Sequence, residues 1–220
     1  MIDTIYPLPT LAEVEENVFD ANDQVAAENL ELLRVHHLKA IDIMGAIGSG
    51  KTTLITKLVE KLKPWRRVAV MNGDPVTADD VEPISRQGVP VIQIAADACH
   101  LDADLVARGY QRLPLDRLDL ILIENVGNLI CPGEFNLGSK ARIVVVSVTE
   151  GPWMVRKHPR MFLGADLVVI NKLDLAATMG VDIEQLRRDV HMLKPTMDVI
   201  VTSCRTGEGV DALANALLAI

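Results

Sequence analysis

Gly45-Ala46-Ile47-Gly48-Ser49-Gly50-Lys51-Thr52 is the stretch on which the reading of this chain turns. It fits G-x-x-x-x-G-K-[ST] without departure. Ile41-Asp42-Ile43-Met44 before it reads as a strand, and Thr53-Leu54-Ile55 after it opens a helix. A phosphate-cradling loop requires that context. Glycines let successive backbone N–H groups turn inward, and the helix N-terminus adds partial positive charge. Lys51 is expected to reach the β- and γ-phosphates, and Thr52 to offer its hydroxyl to Mg²⁺. Gly45 through Thr53 are the expected phosphate-binding set. The competing reading, a glycine-rich turn that binds nothing, fits the flanking strand and helix poorly.

Outward from this loop, apolar runs alternate with helical patterns. The runs are 39–44, 67–72, 90–95, 119–124, 142–148, 166–171 and 198–203. Several are continuous and β-branched, as strands covered on both faces should be. Helical patterns occupy 51–62, 101–112, 182–193 and 208–219. The alternation predicts an α/β three-layer fold, a mostly parallel sheet between helices, with ligands beyond the C-terminal strand ends. Residues 1–9 read as an irregular lead-in. Thr10 is a plausible N-cap with Glu13 as its capping-box partner, and Leu11 to His36 carry helical spacing as one helix or a pair. The expected division is a helical extension, 1–37, and a nucleotide-binding domain, 38–220.

The totals set bounds. The chain has 220 residues, 49% hydrophobic but only 3% aromatic, so its core must be aliphatic. Its net charge of −8 argues against nucleic acid or an anionic membrane as the main partner. No apolar run of about 18 residues is present, and Met1-Ile2-Asp3-Thr4 lacks the basic start of a signal peptide. A cytoplasmic location is expected. Cys99, Cys131 and Cys204 are an odd count, unlike a disulfide framework.

Asn171-Lys172-Leu173-Asp174 ends the sixth run and resembles the N-K-x-D motif of GTPases. Asp174 would accept from guanine N1 and N2, a donor pair adenine lacks. Lys172 would pack along the base and Asn171 would brace the loop. Ser203-Cys204-Arg205 resembles the S-A-K element, with a base contact expected mainly from backbone, so that the substituted side chains matter little. Glu124-Asn125-Val126-Gly127 stands where many GTPases carry D-x-x-G. Thr52, Asp74 and Glu124 form the expected Mg²⁺ set, although Glu124 could instead cap the next loop. Gly127 could offer its N–H to the γ-phosphate and move on its loss. No residue stands out as the water-activating base: Asp74, Asp79 and Asp80 share the expected switch loop, and slow hydrolysis follows. Lys51 and Asp74 are the residues assigned to catalysis. Asp79 and Asp80 read equally as a solvated acidic loop or a helix start.

Cys99-His100 follows the third run and Cys131 the fourth. Thiolate and imidazole suit Zn²⁺ or Ni²⁺, but by spacing alone buried structural thiols fit as well. The surrounding strings, Ala98-Cys99-His100-Leu101-Asp102-Ala103, Glu124 to Pro132 (ENVGNLICP) and Ser147-Val148-Thr149-Glu150-Gly151, together with Asn171 to Asp174, resemble the HypB family. Its members are GTPases that assist nickel insertion into [NiFe]-hydrogenase. The resemblance spans roughly residues 30–220. It implies GTP-dependent homodimerisation, and a Zn²⁺ or Ni²⁺ site of Cys99, His100 and Cys131 at or near the dimer interface. It also implies a nickel-binding maturation partner of the HypA type and the hydrogenase large-subunit precursor as partners.

Two departures limit it. There is neither an N-terminal C-x-x-C-G-C motif nor a His-rich stretch, and His36-His37 reads as a solvated helix end. Pro83 stands in the segment where the family often carries Arg. The basic loop 151–162 reads as a contact to the partner protomer or as a solvent-facing loop with two anchoring apolar residues, and helix 11–35 as a partner dock or a cover. Against a P-loop kinase stands the absence of an arginine-bearing lid. Against a metal-binding scaffold with a relic nucleotide site stand intact Gly50-Lys51-Thr52 and Asn171 to Asp174. Maturation GTPases of the urease or cobalamin-enzyme type remain the nearest alternative.

Overall fold

A computed structural model describes residues 11–74, 78–94 and 99–220, with side chains from residue 18 onward except those of 78–80. Thr10 and the lead-in 1–9 lie outside these residues. In chain order the elements are α1 (Leu11–Val35), β1 (Lys39–Gly45), α2 (Lys51–Leu62), β2 (Val68–Asn72), α3 (Ala78–Ser85), β3 (Val91–Gln93), α4 (Ala103–Tyr110) and β4 (Leu120–Glu124). Then follow β5 (Ala141–Ser147), α5 (Met154–Lys157), α6 (Pro159–Leu163), β6 (Leu167–Asn171), α7 (Ala176–Met179), α8 (Ile183–Leu193), β7 (Asp198–Val201) and α9 (Val210–Ala219).

The seven strands form one sheet in the order β3-β2-β4-β1-β5-β6-β7. Every pairing is parallel, so the expected mostly parallel sheet is wholly so. Strand alternation divides the core. Ile41 and Ile43 of β1 meet Leu54 and Leu58 of α2 and Leu213 and Leu217 of α9 on one face. On the other face Ala40 joins Leu33 of α1 and Val106 and Tyr110 of α4. Met44 on that face joins Val155, Phe162, Leu186 and Val190. Aliphatic strands buried on both faces explain how a chain this poor in aromatics closes a core.

Residues 11–35 make one helix of 25 residues rather than a pair. Asn29 is buried on its inner face and donates to Ala103 O at 2.8 Å and Leu137 O at 3.1 Å. Asn22 accepts from Ala103 N at 2.9 Å and donates to Asn136 O at 2.9 Å. These bonds pin α1 to the start of α4 and to the loop before β5. His36 is not simply solvated: its Nδ1 lies 2.8 Å from Asp116 Oδ1.

The basic segment 151–162 is not an open loop. It forms α5 and α6, which bury Val155, Met161 and Phe162. Arg156 stacks over Trp153 at 5.1 Å and makes a bidentate pair, 2.8 Å on each arm, with buried Asp189 of α8. Asp79 and Asp80, read as part of a switch loop or as a helix start, lie in the first turn of α3, which contains Pro83. No helix among the described residues is long and apolar enough to cross a membrane.

Candidate functional site

The C-terminal ends of β1, β2, β4 and β6 converge on the loop 45–50. Gly48 (φ 76°) and Gly50 (φ 95°) take left-handed backbone that a side chain would strain, and Gly50 hands the chain directly into α2. A Cβ on Gly50 would also press on Asn171 Nδ2. Ser49 is buried, and Ile47 and Thr53 face solvent. Lys51, only 3% exposed, extends back under the loop. Its Nζ donates to Gly45 O (3.3 Å) and Ala46 O (3.2 Å) and pairs with Asp74 Oδ2 at 3.3 Å.

Of the expected Mg²⁺ set, Glu124 ends β4, Asp74 follows the end of the neighbouring β2, and Thr52 lies in the first turn of α2. Thr52 Oγ1 donates to Glu124 Oε1 at 2.6 Å, and Glu124 is fully buried. Hydroxyl and carboxylate oxygens are the hard donors that Mg²⁺ takes, so the donor set fits. Asp74 is oriented by Asn72, whose Oδ1 accepts from Asp74 N at 2.8 Å. Its own Oδ1 accepts from Gly127 N at 3.2 Å. A Cβ on Gly127 would meet Ile47 Cγ1 at 2.7 Å, so glycine permits this close crossing.

At the base end, Asn171 donates to Ser49 O at 3.0 Å and accepts from Thr202 Oγ1 at 3.0 Å. It braces the phosphate loop from below. Lys172 has positive φ and sends Nζ to Gly48 O (2.6 Å) and Thr149 Oγ1 (3.2 Å). Asp174 accepts from Ser203 Oγ at 2.5 Å and Arg205 Nε at 2.7 Å. Both donors hold its carboxyl below the usual carboxylate range, Ser203 first. Arg205 is therefore not an indifferent replacement in the S-A-K element: its side chain fixes the residue expected to read guanine. Burial pushes up the Cys204 thiol, which sits 3.6 Å from Asn171 Oδ1.

Cys99, His100 and Cys131 come together from two segments. One ligand atom from each lies within 4.8 Å of the others. Cys99 Sγ is 3.7 Å from His100 Nδ1. A four-coordinate zinc site with bonds of about 2.0–2.3 Å needs donors this close, and three leave one position for water or a fourth ligand. Burial lowers the His100 pKa, which favours the neutral, ligating imidazole. The Cys99 thiol and burial together push the Cys131 thiol up. The His100 ring stacks on Phe135 with centroids 3.8 Å apart, and Phe135 in turn meets Phe19 of α1 at 5.3 Å.

The phosphate loop and this cluster are structurally continuous. Gly127, bonded to Asp74, is followed by Asn128, which bridges Gly45 and donates to Cys99 O at 3.3 Å. Three residues around the cluster escaped the sequence reading: Asp42, Asn125 and Arg142. Asp42 is completely buried; burial pushes its carboxyl up, against the pull of Arg142 and Asn125. A carboxylate in the middle of the run Ala40 to Met44 and an arginine opening the apolar run Arg142 to Val146 were the available signal.

Residues 39–201 match the family described as CobW/HypB/UreG, nucleotide-binding domain. The chain is 44% identical over 200 residues to the probable hydrogenase maturation factor HypB of Methanocaldococcus jannaschii, covering 90% of each. The crystal structure of hydrogenase maturation factor HypB from Archaeoglobus fulgidus superposes with a TM-score of 0.87 at 41% identity, covering 91% of this chain and 98% of that one. HypB from Helicobacter pylori, solved in complex with nickel, superposes at 0.85 with 34% identity, over 90% of this chain and 94% of that one. With a P-loop, a wholly parallel sheet and this degree of likeness, the chain belongs to the HypB branch of the CobW/HypB/UreG family.

Proposed function

We propose that this chain is a slow GTPase and metallochaperone that assists nickel insertion into [NiFe]-hydrogenase. The observation that carries the reading is the meeting of Cys99, His100 and Cys131 at the end of the segment that starts at Gly127. In the proposed cycle Lys51 leaves the carbonyls of Gly45 and Ala46 for the β- and γ-phosphates. Backbone N–H groups of residues 45–53 cradle the phosphates. Asp174 accepts from guanine, with Lys172 along the base and Ser203 and Cys204 beside it. Thr52, Asp74 and Glu124 would hold Mg²⁺, which supplies charge neutralisation on the phosphates.

Water attacks the γ-phosphorus, the bond to the β-phosphate oxygen breaks, and GDP and phosphate leave. Gly127 N–H, now on Asp74, turns to the γ-phosphate while it is present. That movement carries Asn128 and hence the carbonyl of Cys99. Two protomers joined by GTP would complete the metal coordination that one leaves open. Residues 38–220 act as the nucleotide-binding unit and 1–37 as a helical extension in this reading. A HypA-type nickel-binding protein and the hydrogenase large-subunit precursor are the proposed partners, and the cytoplasm the proposed site of action.

Phosphate release and Zn²⁺ or Ni²⁺ binding, measured on wild type, Lys51→Ala and Cys131→Ala, test the reading. Lys51→Ala is expected to lose GTP turnover and keep the metal, and Cys131→Ala to lose the metal and keep turnover. Wild type that binds neither metal in any nucleotide state removes the metallochaperone part.

A further inference from the structure

The Cys/His cluster rests on two chain segments, and one buried carboxylate is tied to both. Asp42, in mid-β1, has a fully buried side chain. Its Oδ1 accepts from Asn125 Nδ2 at 3.0 Å. The side-chain oxygen Oδ1 of Asn125 accepts from Leu101 N at 3.2 Å, one residue beyond His100, and from Val126 N at 2.9 Å. Asp42 Oδ2 accepts from Arg142 Nε at 3.3 Å. The other two guanidinium nitrogens donate to Gly133 O (3.3 Å) and Phe135 O (2.5 Å). Those carbonyls lie just beyond Cys131, and the Phe135 ring covers His100.

Stability alone accounts poorly for this arrangement. Ala40, Ile41, Ile43 and Met44 around Asp42 are all buried apolar residues. A buried ion pair is often no better for stability than an apolar pair of the same volume. What the charge network does, and an apolar pair could not, is hold backbone groups of residues 101, 133 and 135 at fixed places. The planar fork of arginine suits two carbonyls and a carboxylate at once, and an ammonium does not.

We propose that Asp42, Asn125 and Arg142 are positioning residues for the Cys99/His100/Cys131 metal site, setting the spacing between its two ligand-bearing segments. The inference rests on the reading of those three residues as metal ligands. Groups that orient ligands from outside the coordination sphere govern metal affinity without touching the ion.

The test is the Zn²⁺ affinity of the full chain, by competition with a chromophoric chelator. Unfolding midpoint, affinity for fluorescent GDP and the visible spectrum of the Co²⁺-loaded protein are recorded in parallel. Asp42→Asn combined with Arg142→Met removes both charges, keeps the volume and leaves Asn125 an acceptor. Arg142→Lys keeps a cation opposite Asp42 and gives up the fork. The double variant is expected to lose Zn²⁺ affinity about tenfold or more, and Arg142→Lys about threefold or more, with altered Co²⁺ spectra. GDP affinity should stay within about twofold of wild type. If the double variant fails to fold, Arg142→Lys decides alone. Zn²⁺ affinity within about twofold of wild type and an unchanged Co²⁺ spectrum in the folded variants would overturn the proposal. Wild type that does not bind Zn²⁺, or Cys131→Ala that binds as tightly, removes the ligand assignment and this inference with it, and is told apart by involving no positioning residue.

Discussion

Asp174 is held ionised and oriented by two donors on the neighbouring loop, Ser203 and Arg205. Because its pKa is depressed, the carboxylate stays charged down through the usual aspartate range and protonates only below it. Guanine affinity owed to this contact should therefore be flat from about pH 8 to pH 5, and decline only at more acid pH. Asp174→Asn exchanges an acceptor oxygen for an amide donor. It should weaken GTP binding roughly 10- to 100-fold and improve binding of xanthosine triphosphate, which presents an oxygen where guanine presents an amine. Fluorescent-nucleotide competition reads both effects; unchanged GTP affinity would remove Asp174 from the base site. Such residues are legible in sequence because each motif sits within a few positions of a strand end. Arg205 was legible only as a departure, since its hold on Asp174 spans 31 residues.

At the scale of elements, α1 shows how sequence periodicity gives a helix without giving its dock. The apolar stripe located the helix, but nothing in its spacing singled out Asn22 and Asn29. Folded, they bind backbone of α4 and of residues 136–137. Asn29→Ala leaves the carbonyls of Ala103 and Leu137 without this buried donor. It should cost roughly 1–3 kcal/mol in urea unfolding; a loss too small to measure would mean that water replaces the amide. The same element carries Phe19 against Phe135, so its dock reaches the His100 side of the cluster. Helices α5 and α6 were missed for a different reason. At 4 and 5 residues they are too short to show a helical period, and tertiary packing of Val155 and Phe162 holds them.

For the whole molecule, the seven strands were legible because continuous β-branched runs have few alternatives in a chain of this composition. Their order was not, since it depends on which crossovers pack. In the folded chain β1 lies between β4 and β5, which puts the phosphate loop, Glu124 and the 125–131 segment side by side. That adjacency links the phosphate loop to the Cys/His cluster by hydrogen bonds, Asp74 to Gly127 and Asn128 to Cys99, the path proposed for the γ-phosphate signal. Cys99, His100 and Cys131 were singled out by resemblance of the strings around them rather than by spacing, because Cys99 and Cys131 stand 32 positions apart and meet only through the sheet.

In the proposed cycle the nucleotide state is read out at the Cys/His cluster. The most direct test of this readout is the Zn²⁺ dissociation constant of the wild-type chain loaded with GDP and with a non-hydrolysable GTP analogue. The two constants are expected to differ by about tenfold or more, a coupling of about 1.4 kcal/mol. Equal constants in the two states would contradict it.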